Sequence, residues 1–69
     1  MAVGERIREA RERKVWGQAE LARAAGIKAN TLWKIEHGKQ EPRPSTVRKI
    51  AEVLGLDPAE LMAPAASAD

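Results

Sequence analysis

The stretch Gln18-Ala-Glu-Leu-Ala-Arg-Ala-Ala-Gly26-Ile-Lys-Ala-Asn-Thr-Leu-Trp-Lys-Ile-Glu36 decides the reading of this 69-residue chain. Leu21, Ala22 and Ala25 form an apolar stripe at helical spacing. Gly26 stands where that helix has to stop, because glycine takes a left-handed C-terminal cap without steric cost. Ile27, Leu32 and Ile35 then restart the stripe. The pattern is a helix, a tight turn and a second helix.

Two short helices joined through a glycine-containing turn make a helix-turn-helix unit, whose second helix can enter the major groove of DNA. Three further helices flank it. The spacing predicts a first helix over Val3 to Lys14, with Ile7, Ala10 and Arg11 inward. On its outer face Arg8–Glu12 and Glu9–Arg13 stand at contact spacing, so that surface is expected to be partly self-paired. Trp16 is expected to plug the gap between helices. Gly38 ends the third helix, and a loop carrying Pro42 follows. Pro44 suits the first turn of a fourth helix, whose inward stripe is Val47, Ile50, Ala51 and Leu54. Asp57-Pro-Ala-Glu60 is a helix start, with Asp as cap and Pro at the first position. A short fifth helix holds Leu61 and Met62. The expected division is a domain over 1–62 and a tail over 63–69, where the apolar period disappears.

Composition narrows the function. A chain of this length makes one small domain with a modest core. There is no cysteine and a single histidine, so neither a disulfide nor a metal cluster is expected, and nothing calls for a cofactor. The apolar runs are too short to span a bilayer and no signal peptide is visible, which points to a cytoplasmic or nucleoid-associated protein. All 12 lysines and arginines lie within residues 1–49, against six acids there. Residues 50–69 carry four acids and no base. A basic body with an acidic end suits a polyanion at one face, or it is an ordinary solvated surface. No nucleophile–base pair and no glycine-rich phosphate loop supports an enzyme.

The order of helices and a set of residues resemble the Cro/C1-type (XRE-family) helix-turn-helix domains of phage repressors and small bacterial regulators. The carriers are Ile7-Arg-Glu-Ala-Arg11, Gln18-x-x-Leu21-Ala22, Ala25-Gly-Ile27, Thr31-Leu-x-Lys-Ile-Glu36, His37-Gly-Lys39, Pro42 and Ile50-Ala-x-x-Leu54-Gly-Leu56. Together they cover roughly Val3 to Met62. The resemblance implies an all-α, compact five-helix, lambda-repressor-like fold, with a recognition helix at about 29–37. It implies an internal ion pair between Arg11 and Glu36. It also puts Ala29, Asn30 and Lys34 at base-reading positions, and Gln18 on a phosphate at the start of the second helix. Two departures stand out. Gly17 and Lys28 occupy cap positions where the family has Ser or Thr, and neither offers the side-chain oxygen that accepts from free helix N–H groups. A phosphate held between Lys28 and those N–H groups would reconcile the second departure.

The residue chemistry suits those positions. An Asn amide can bond an adenine edge at both ends, Lys donates to guanine, and an Ala methyl packs on thymine's. Asn30 could instead cap its own helix turn. Trp33 shares the outward face, either as a contact to sugars, thymine methyls or a protein partner, or as a ring laid over basic stems. Lys39, the backbone N–H groups from Gly38 to Gln40, and Arg43 are expected at phosphates, which set register rather than sequence. A single unit covers a half-site, so a homodimer on an inverted repeat of double-stranded DNA is expected. Leu54, Leu56, Leu61 and Met62 are either the dimer surface or plain core. The competing function is an antitoxin or protein-interaction module on the same fold, reached through Trp33 or the C-terminal helix.

Overall fold

The computed structural model describes residues 3–62. The expected tail, 63–69, lies outside the described residues. Five helices follow one another: α1 (Val3–Arg13), α2 (Gln18–Ala25), α3 (Ala29–Glu36), α4 (Pro44–Leu54) and α5 (Pro58–Met62). Among the described residues there is no strand. α2 packs against α3 and α4, while α1 lies across α3, α4 and α5, and α5 closes on α4.

One core serves all five helices, because each contributes an apolar stripe at helical spacing. Ile7, Leu21, Leu32, Ile35, Val47, Ile50 and Leu61 are fully buried in it, with Ala10, Ala22, Ala25, Ala51 and Leu54 filling between them. Leu54 and Leu61 are therefore core, which decides the alternative left open for them, whereas Met62 is exposed and Leu56 half-buried. Trp16 is half-buried against the edge of this cluster.

Helices α1 to α4 all end in one hydrogen-bond pattern. In each, two successive N–H groups turn back, one to the carbonyl five residues earlier and one to the carbonyl three residues earlier: Trp16 to Arg11 and Val15 to Glu12, Ile27 to Ala22 and Gly26 to Arg23, Lys39 to Lys34 and Gly38 to Ile35, Leu56 to Ala51 and Gly55 to Glu52. This is the Schellman cap, which needs a left-handed residue at its turn. Gly26, Gly38 and Gly55 supply it at φ of 74°, 72° and 74°. Val15 supplies the fourth at φ 58°, and its side chain is 87% exposed. A β-branched residue there is a conformational outlier.

Helix starts use other devices. Asp57 caps α5, its Oδ1 accepting from Ala59 N–H at 3.0 Å. At α2 the Glu20 carboxylate accepts from Gly17 N–H at 3.2 Å, and Gly17 has no side chain to return the bond. Gly4 is buried where α1 crosses α3: a Cβ built on it overlaps the Ile35 carbonyl oxygen and comes within 3.1 Å of Glu36 Cα. Only hydrogen at that position lets the two backbones approach so closely.

Candidate nucleic-acid interface

α3 is held from behind by a polar cluster that joins three helices. Arg11 on α1 donates from Nε to Glu36 Oε2 at 2.8 Å and from Nη2 to Oε1 at 3.1 Å. Its Nη1 donates to the Trp16 carbonyl at 2.7 Å. Gln18, the first residue of α2, donates from Nε2 to Glu36 Oε1 at 3.0 Å. The Glu36 side chain has no exposed surface, so its charge is bearable only with these donors in place. The bond to Glu36 raises the Arg11 guanidinium above its ordinary value, against desolvation, which lowers it. The expected Arg11–Glu36 pair is present and is the single ion pair among the described residues. The pairs expected along the outside of α1, Arg8–Glu12 and Glu9–Arg13, are not formed. Exposed pairs gain too little to immobilise two long side chains.

The opposite face of α3 carries Ala29, Asn30, Trp33, Lys34 and His37, all exposed. The Asn30 side chain makes no hydrogen bond among the described residues, so local capping is not its role here. Trp33 is 41% exposed. It stacks on His37 one turn later, with ring centroids 4.1 Å apart and planes at 21°. With its side chains an α-helix is about 10–12 Å across, which fits the major groove of B-form DNA, about 12 Å wide.

Two groups of backbone donors flank this face. At the start of α3, Lys28 occupies the cap with extended geometry and no side-chain bond. The first backbone bond of the helix runs from Leu32 N–H to the Lys28 carbonyl, which leaves the N–H groups of Ala29, Asn30 and Thr31 open. At the other end the expectation needs correction. The Gly38 and Lys39 N–H groups are both spent on the cap of α3 and are not offered to a phosphate. The Lys39 and Arg43 side chains remain exposed there. Gln18 is half-buried, with one amide hydrogen committed to Glu36.

Sequence reasoning missed three features of this region. The Gln18–Glu36 bond spans 18 residues and has no local signature. The Gly4 contact sits inside an ordinary helical pattern. The Trp33–His37 stack did have a signal, since the two rings stand four apart on one helix face.

Residues 2–63 match the family model described as "Helix-turn-helix domain". The chain belongs to this family. This helix-turn-helix domain is 40% identical over 57 residues to the HTH-type transcriptional regulator Rv0023 of Mycobacterium tuberculosis, covering 83% of this chain and 22% of that protein. It is 37% identical over 57 residues to the cryptic phage CTXphi transcriptional repressor RstR of Vibrio cholerae, covering 83% of this chain and 51% of the relative. The chain thus spans between about a fifth and a half of the length of these relatives. Among solved structures it superposes with a TM-score of 0.83 and 31% identity on SinR, a master regulator for biofilm formation, in complex with DNA, covering 87% of this chain and 97% of that one. The five-helix, lambda-repressor-like architecture is the one found. No described helix is long and apolar enough to cross a membrane.

Proposed function

We propose that this helix-turn-helix domain binds double-stranded DNA sequence-specifically and acts as a transcriptional repressor in the cytoplasm, at the nucleoid. The observation that carries the reading is the contrast between the two faces of α3. The rear face is locked to α1 and α2 through Glu36, while the front presents Asn30 and Lys34 without an intramolecular hydrogen bond. A base-reading helix needs that combination of a rigid mount and unsatisfied donors and acceptors. Asn30 and Lys34 read base edges, and Ala29 and Trp33 supply apolar contacts. Lys28 with the open α3 N–H groups, the free amide hydrogen of Gln18, and the side chains of Lys39 and Arg43 hold phosphates. The functional unit is 1–62. Two copies on an inverted repeat give specificity, with the exposed Met62 and half-buried Leu56 at the edge where they meet. The names and DNA complex of the similar proteins support this reading.

Selection of bound duplexes from a random pool tests it, with wild type beside Asn30→Ala/Lys34→Ala. An inverted repeat enriched by the wild type and lost in the double variant is the expected result. Bulk, salt-sensitive binding with no enriched sequence refutes sequence reading by α3. It would move the specificity to a protein partner at Trp33, the antitoxin reading.

A further inference from the structure

We propose that His37, presented on the face of Trp33, contacts a DNA phosphate as the imidazolium, so that duplex binding takes up a proton at this ring. The inference rests on the DNA-binding reading above and adds a contact that neither the resemblance nor the motif assigns.

Two constraints fix the ring. It stacks on Trp33 at 4.1 Å between centroids. Its Nδ1 also lies 2.9 Å from the Trp33 carbonyl oxygen. A carbonyl can only accept, so Nδ1 carries the hydrogen in either charge state. That leaves Nε2 as the atom that changes. In the neutral ring Nε2 is a lone pair and repels phosphate oxygens. Once protonated it is a donor, and its hydrogen bond to phosphate is charge-assisted. Holding an exposed side chain in one orientation and one tautomer costs rotamer entropy, and a solvated surface histidine has no use for that order.

The surroundings suit the charged form once DNA is present. The ring is the last side chain of the α3 outward face and sits at the negative end of that helix dipole. The Trp33 face adds a cation–π attraction to an imidazolium. On α3 itself Lys34 opposes the extra charge. On the following loop Lys39 and Arg43 do the same and Glu41 favours it. The helices packed on α3 carry Glu5, Arg6, Arg8, Glu9, Arg11, Glu12 and Arg13 on α1 and Glu20 and Arg23 on α2. Of these, Arg11 is committed to Glu36 and Glu20 to Gly17, and none is bonded to the imidazole. A polyanion brought to this face adds negative charge beside the ring and favours the imidazolium, which is the condition for proton-linked binding.

His37 is the only histidine in the chain, so its titration can be followed without assignment ambiguity. The experiment measures fluorescence anisotropy with the duplex enriched by selection, beside a mixed-sequence duplex, from pH 8 to 6 at fixed ionic strength. Binding that raises the titration midpoint of a group must itself tighten as pH falls through that range. Wild type should tighten about threefold or more across this range. His37→Gln, which offers an amide donor that does not titrate, should bind with no such slope. Lys39→Gln should weaken binding while keeping the slope. In parallel, the His37 ring proton followed by NMR should show a higher midpoint with duplex than without. A slope that persists in His37→Gln overturns the proposal, as does an unmoved midpoint in a wild type that binds. Wild type that binds neither duplex at any pH overturns the DNA-binding reading and this contact with it.

Discussion

Val15→Gly should make this domain more stable, although it deletes an apolar side chain. Val15 sits at φ 58° in the cap that ends α1, where α2, α3 and α4 each use glycine. A left-handed L-residue costs about 1–2 kcal/mol, and a β-branched one lies toward the upper end. Glycine removes that cost. Against it stands the larger chain entropy of glycine in the unfolded state, about 0.5–1 kcal/mol. The lost packing is small, since full burial of a valine is worth roughly 1.5–3 kcal/mol and this one is 87% exposed. The net gain is about 0.5–1 kcal/mol, or roughly 2–8 °C in Tm for a domain of this size. Urea and thermal unfolding followed by circular dichroism at the helix band measure it. The denaturant slope should stay unchanged, which marks a change of stability without a change in the surface exposed on unfolding. Val15→Ala keeps the Cβ and should gain less than Val15→Gly. A lower Tm for Val15→Gly, or a larger gain for alanine than for glycine, would refute the argument that strain at this turn outweighs chain entropy.

Three other substitutions follow from the geometry. Gly4→Ala drives a methyl into the Ile35 carbonyl and Glu36 Cα. Overpacking of this kind costs about 1–3 kcal/mol, so a Tm drop of several degrees is expected, and an unchanged Tm would show that α1 and α3 separate freely. Arg11→Ala leaves the Glu36 carboxylate buried without its guanidinium, at about 3–5 kcal/mol, enough to unfold much of a small domain at 25 °C, whereas Arg11→Met/Glu36→Met should recover most of the loss in urea unfolding. Lys28→Ser supplies the missing α3 cap and should add about 1 kcal/mol of stability. The same change removes one phosphate partner, so the log–log salt slope of duplex binding should fall by about 1; an unchanged slope would remove Lys28 from the interface.

The helices were legible because their ends are chemically marked. Gly26, Gly38 and Gly55 stop three of them, and Pro44 and the Asp57–Pro58 pair start two. The core stripes followed from periodicity alone, since burial of Leu21, Leu32, Ile35, Val47 and Ile50 is what makes those helices worth forming. The stop of α1 falls at Arg13, one residue short of the expected end, because the left-handed turn is made by a valine, a residue type that gives no such signal. The Arg11–Glu36 pair follows from the resemblance, and the sequence alone makes it plausible because each residue falls beside its helix's apolar stripe. Gln18 was read as a phosphate ligand from the helix start it occupies, and its tie to Glu36 depends on how α2 and α3 are folded together. The phosphate donors assigned to the Gly38 and Lys39 backbone were misplaced for a related reason. Glycine at a helix end signals the cap, and the cap itself consumes those hydrogens.

The glycine crossing of α1 over α3 has a practical consequence for anyone handling this protein. Gly4 rests against Ile35 and Glu36 at the end of α3, so the first turn of α1 and the end of that helix cannot shift independently. A polyhistidine tag would add titrating imidazoles to a chain whose single histidine is the group to be followed, so proton uptake is to be measured on untagged protein. A fusion or substitution that strains the first turn of α1 would reach α3 through this contact, and lost binding would then report on the crossing rather than on the outward face of α3.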